Sequence, residues 1–154
     1  KKRYKVFDIV DYMKKSIYII ILVIIIAVGI AWYLISPAFK VVEKNENIPL
    51  TSDSLAEGIF IQSAHEVKGK ALLIENEQKK ILRFEDFETI NGPDLHIYLA
   101  SSLDAGDYID LGAIKGTKGN INYDIPDGID INKYNKVLIW CVPFKVLFSY
   151  AELS

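Results

Sequence analysis

The chain has 154 residues, a formal net charge of −2 at pH 7 and a single cysteine. One cysteine excludes an intramolecular disulfide framework, and with two histidines the chain falls short of the four ligands of a structural zinc site. The acidic residues crowd into the part after residue 40, which argues against nucleic acid as a partner.

Of the 18 Lys and Arg, six (Lys1, Lys2, Arg3, Lys5, Lys14 and Lys15) precede an uncharged apolar run at 16–39; of the 20 Asp and Glu, only Asp8 and Asp11 do. A bilayer core takes about 20 apolar residues in a helix. The run is apolar on every face, unlike a helix packed on a small soluble domain. Trp32 and Tyr33 stand near its end, where amphipathic rings favour the headgroup layer. Residues 16–39 therefore read as a transmembrane helix, a signal anchor in a lipid bilayer. The basic segment 1–15 reads as a cytoplasmic tail against anionic lipid, and everything after the span as extracytoplasmic. The protein is then expected in the cell membrane, crossing it once. Ser36 and Ala38 place small residues as a cleaved signal peptide would. The run exceeds the ~7–15 residues of a signal core, which favours an uncleaved anchor. No cysteine lies near the span for lipid attachment, and no N-x-S/T sequon is present.

Residues 40–54 are polar and read as a linker. Residues 55–154 read as one domain with one small core. Its periodicity is mostly two. Strands are predicted at 66–75, 80–84, 95–99, 108–111, 121–125, 137–142 and 145–150, with turns at 76–78, 91–93 and 126–128 and a glycine loop at 115–120. Only 52–57 and 130–135 look capable of a short helical turn. The expected fold is all-β, an antiparallel sandwich or barrel. The strand at 137–142 is apolar on both faces, with Val137, Ile139 and Cys141 on one and Leu138, Trp140 and Val142 on the other. An antiparallel strand with one wet face should alternate. Both faces are therefore expected to be covered, by another segment, a bound group or a partner.

The segments follow a recognisable order. Gly58-Ile59-Phe60 comes first, then His65-Glu66-Val67-Lys68-Gly69, then 82–87, then Gly92-Pro93-Asp94-Leu95 with Tyr98-Leu99. Leu111-Gly112, Gly119-Asn120 with Tyr123, Ile139-Trp140-Cys141 with Phe144, and Ala151 with Leu153 complete it. This series resembles the DM13 family of small extracellular domains, over nearly the whole outer domain. The resemblance implies a β-sandwich-like fold and a part in electron transfer at the cell surface. It also implies a working cysteine, either a bare thiol or the holder of a prosthetic group such as haem. Carried over, that residue is Cys141. Animal members differ from this chain, which reads as one such domain on one anchor; the resemblance then implies a membrane or cell-surface redox protein as partner.

Cys141 has a functional reading, as redox thiol or haem thiolate, and a structural one, as a small buried hydrophobe. No Lys, Arg or His adjoins it in sequence. His65 is its candidate partner, since a Cys–His pair can ligate iron and a histidine can activate a thiol; the alternative is a hydrogen-bonded histidine at a strand end. His96 alternates with Tyr98 and is expected to face outward. Covalent haem attachment needs C-x-x-C-H, which one cysteine cannot supply. Asp104, Asp107 and Asp110, and likewise Asp124, Asp127 and Asp130, recur every third residue, but neither run matches an EF-hand. The loop at 115–119 does not match a phosphate-binding loop. No hydrolase constellation is present, so two classes of function remain: extracytoplasmic redox or electron transfer through Cys141 and His65, and a non-catalytic binding module.

Overall fold

The computed structural model describes residues 3–36, 40–48, 53–76 and 79–154. The chain divides into two compact units, Lys1–Pro37 and Ala38–Ser154. The first holds the helix α1 (Arg3–Ile35). It starts well before the apolar run, because no Gly or Pro interrupts 3–15. It stops short of Pro37, which lacks an N–H and disfavours helix in the residue before it. Its stretch Asp11–Tyr33 contains an 18-residue window with a mean hydropathy of 2.6, none of it buried by protein. At 1.5 Å per residue that stretch is about 35 Å long, enough for a hydrocarbon core of about 30 Å. The last residues of the run, 37–39, lie outside those described.

Among its described residues the second unit carries ten strands: β1 (Glu43–Asn45), β2 (Asp53–Ile59), β3 (Ile61–Gln62), β4 (Val67–Asn76), β5 (Lys79–Thr89), β6 (Leu95–Ala100), β7 (Tyr108–Ala113), β8 (Lys118–Asp124), β9 (Lys136–Cys141) and β10 (Val146–Glu152). They form two five-stranded sheets, ordered β1-β8-β5-β4-β2 and β3-β10-β9-β6-β7. Every pairing is antiparallel except β1 with β8. Alternate residues of both sheets meet in one core, among them Leu82, Phe84 and Tyr123 from the first and Ile97, Ile139 and Cys141 from the second. The expected antiparallel sandwich is what the chain forms.

Period two would put Phe84 and Phe87 on opposite faces, yet both are buried in this core. A bulge between them restores the face, with Asp86 at φ 49°. Gly69 sits against the same bulge at φ 100°, where a Cβ would come within 2.5 Å of the Glu85 carbonyl oxygen.

Three segments depart from expectation. Residues 43–45, inside the stretch read as a linker, form β1; its ladder is backbone-driven, helped by Asn45 Oδ1 accepting the Asn120 N–H at 3.1 Å, so no apolar pattern announces it. Residues 52–57 are not helical where described: Asp53–Ile59 is a strand paired with β4, because helix propensity is a weak prior against a full ladder. The loop at 115–120 gives its last three residues to β8. The 130–135 segment makes its single turn, with the Lys133 and Tyr134 N–H groups both donating to the Asp130 carbonyl. Of the 76–78 turn, Asn76 and Lys79 pair to close the hairpin, and 77–78 lie outside the described residues.

Strands β1 and β2 occupy opposite edges of one sheet, so the chain between them changes edge. Its described start, 46–48, is held by Arg83 and Asn122, which donate to the carbonyls of Glu46 and Asn47 at 3.0 and 3.1 Å. The Glu46 carboxylate in turn accepts the Asn122 N–H at 2.7 Å. Burial alone would raise the Glu46 carboxyl; the Asn122 N–H, with Lys44 and Lys115, outweighs it and holds the group below its ordinary value. A depressed folded value means the stabilisation is complete above the unfolded carboxylate range and is lost as pH falls through the folded one. Acidification is therefore expected to speed Asn122 amide exchange beyond the intrinsic trend, and Glu46→Gln to abolish that dependence. Protection at Asn122 that ignores pH would refute this.

The outer side of β9 is covered by its own sheet. Leu138 is fully buried beside Tyr98 and Ala100, with Trp140, Leu147 and Tyr150 packed around them. Tyr98 stacks on Tyr108 with centroids 4.1 Å apart. Burial, with Tyr108 and Asp110 close by, pushes the Tyr98 phenol up to about 12.

Candidate functional site

Three segments build one pocket at the end of the second sheet. The first is 63–65, whose Ser63 and His65 N–H groups both donate to the Phe148 carbonyl, at 3.2 and 3.1 Å. That carbonyl is free because Phe148 is the extra residue of a bulge in β10, between Leu147 and Ser149. The second is the turn at 91–94, where Asn91 Oδ1 accepts the Gly92 N–H and the Asp94 carbonyl accepts the Val142 N–H. The third is 141–148, the end of β9, the following turn and the start of β10.

Cys141 and His65 both line this pocket, with Ile90, Pro93, Phe144, Val146 and Phe148 among the other walls. Its volume is about 260 Å³. The His65 ring packs on Phe148 with centroids 4.0 Å apart. Cys141 is 1 % exposed, and its thiol donates to the Pro93 carbonyl at 3.3 Å. The sulfur is thus a wall of the pocket, its hydrogen bond spent on Pro93. Phe144, at 70 % exposed, and Ile90, at 44 %, form an apolar rim.

The sequence brought forward Cys141 and His65, and the chain places them together. It did not bring forward Phe148, Pro93, Val146 or the rim. These come from a bulge and two turns, and no periodicity marks a residue whose role depends on a bulge.

A haem does not fit this pocket. The sulfur of Cys141, itself 1 % exposed, offers no open face for an iron to approach. The thiol is also committed to Pro93 rather than turned towards an open ligand position. Among the described residues no group of three or more His, Cys, Asp and Glu is placed to hold a metal.

The remaining candidates serve the fold. His96 lies on the other face of the sheet from Cys141, opposite Trp140, with Nδ1 2.8 Å from Asp110 and Nε2 3.3 Å from Asp94. Asp104 accepts from Ser102 and the Gly106 N–H, and these bonds hold its carboxyl below the usual range. Asp107 ties the 101–107 loop to Lys133 and Tyr134, which lower its carboxyl likewise. Asp130 accepts the Asn132 N–H. Asp104, Asp107 and Asp130 thus serve turns and loops, while Asp110 and Asp124 lie in β7 and β8.

None of the curated proteins matches this chain. No solved structure matches it either. The family described as electron transfer DM13 matches residues 59–153, nearly all of the β-sandwich and every wall of the pocket. The chain belongs to the electron-transfer DM13 family.

Proposed function

We propose that this protein is a membrane-anchored component of extracytoplasmic electron transfer whose working site is the pocket of Cys141 and His65. The carrying observation is that these two residues, far apart in sequence, line one apolar pocket in a domain of an electron-transfer family. The apolar helix and the basic residues before it support anchoring with the sandwich on the outer side. A membrane or cell-surface redox protein is the partner this reading calls for.

A second reading, a non-catalytic binding module, draws on the burial of Cys141 and on the exposed Phe144. Membranes from the native host, supplied with the impermeant acceptor ferricyanide, separate the two. Cells carrying Cys141→Ser at normal protein abundance are expected to reduce ferricyanide severalfold more slowly than wild type. An unchanged rate would favour the binding module.

A further inference from the structure

Resting on the electron-transfer reading, we propose that the pocket of Cys141 and His65 seats the ring of a single-ring quinone or its hydroquinone. Size sets the first limit. One benzene ring occupies a cavity of about 150 Å³, so about 260 Å³ takes one ring with its substituents. Charge sets the second. Among the described residues no Lys or Arg lines the pocket itself, which favours an uncharged ring.

What remains is a small, uncharged, redox-active ring, and the walls suit it. Phe148, Pro93 and Val146 offer apolar faces; among the described residues the polar side chains are those of His65, Asn91 and Cys141, of which the Cys141 thiol is taken by Pro93 and Asn91 Oδ1 by Gly92. A quinone presents two carbonyl acceptors, and its hydroquinone two hydroxyl donors. A neutral imidazole has one donor and one acceptor nitrogen, so His65 can bond the ring in either oxidation state. Seating either form moves no electron or proton, and the protein forms and breaks no covalent bond. The exposed Phe144 and Ile90 give an apolar substituent a path out of the mouth. The same rim borders a second cleft, which shares Ile90 and Asn91 and is lined by Lys40 and Val41, where the chain enters the domain.

The test is calorimetric titration of the full chain in detergent micelles with 2,3-dimethoxy-5-methyl-1,4-benzoquinone, which has no tail to partition into the micelle. One saturable equivalent is expected. Val146→Phe, which fills the pocket, should weaken binding at least tenfold. Should that variant fail to fold, Phe144→Ser, at an exposed position, should weaken binding of a decyl-substituted quinone severalfold. Absence of saturable binding would overturn the proposal, as would binding that the folded variants leave unchanged or hemin binding with the same stoichiometry and the same sensitivity. The titration needs no electron flow. A protein that binds no quinone but loses ferricyanide reduction with Cys141→Ser would therefore still be an electron-transfer component.

Discussion

Arg83→Ala is expected to lower the unfolding free energy of the outer domain by roughly 3 kcal/mol, the low end for breaking a buried ion pair. Arg83 is 5 % exposed on the central strand β5, on the outer side of its sheet. Its guanidinium donates to Glu85 at 2.9 Å, Asn122 at 2.9 Å and the Glu46 carbonyl at 3.0 Å. Alanine leaves all three acceptors without that donor. Water reaches Glu85, which is why the low end applies. Lysine keeps the charge but cannot fork to three acceptors, and should recover only part of the loss. Methionine keeps the apolar stem and isolates the hydrogen bonds from the packing. Denaturant unfolding of the full chain in detergent reads all three variants. A loss for Arg83→Ala under about 0.5 kcal/mol, the scale of an ordinary surface substitution, would show that this cluster holds nothing together.

Phe148→Ala should cost about 3–5 kcal/mol, as deletion of a buried aromatic ring does. A domain of this size has about 5–15 kcal/mol in all, so the variant sits near the edge of folding. The loss has two parts: transfer of the ring back to water, and the void left beside Leu95, Cys141 and Val146 in the same core. The bonds from Ser63 and His65 go to the Phe148 carbonyl and survive the substitution, so the 63–65 backbone keeps its place. The His65 ring loses the aromatic face 4.0 Å away, and its proton resonances should move towards unstructured positions. Phe148→Leu should cost less, since it refills most of the space. Unfolding midpoints and a histidine-resolved NMR spectrum test the two parts separately. A full-strength midpoint in Phe148→Ala would mean that the ring does not support the pocket.

These two residues differ in how openly the sequence displays them. Phe84, Leu82 and Ile139 are legible because a period of two places them on a buried face, and the same period gave the sandwich. Arg83 alternates with them and reads as an ordinary wet position; its burial arises because 46–48 lies over it, and a sequence pattern carries no sign of a segment that crosses a sheet face. Strands β1 and β3 escaped for a related reason. They are three and two residues long, and backbone pairing to a longer neighbour defines them. At the site, Cys141 was visible as the only cysteine. His65 was visible chiefly through the His-x-x-x-Gly segment that resembles the family. Their meeting was not visible, because it depends on the bulge that swings Phe148 inward and frees its carbonyl for His65.

The parallel pairing of β1 with β8 also has a mechanical side. The chain enters the sandwich through this strand, and its attachments lie side by side: Val42 to Thr117 and Lys118, then Glu46 to Asn120 and Asn122. A hairpin tugged at its open end peels one bond at a time. A strand tugged along its own axis loads its bonds together, and so yields only at a higher force. Arg83, gripping the chain just beyond β1, would act as a rivet behind that shear joint. Tension reaching β1 along its own axis would thus be shared among these bonds rather than met one at a time.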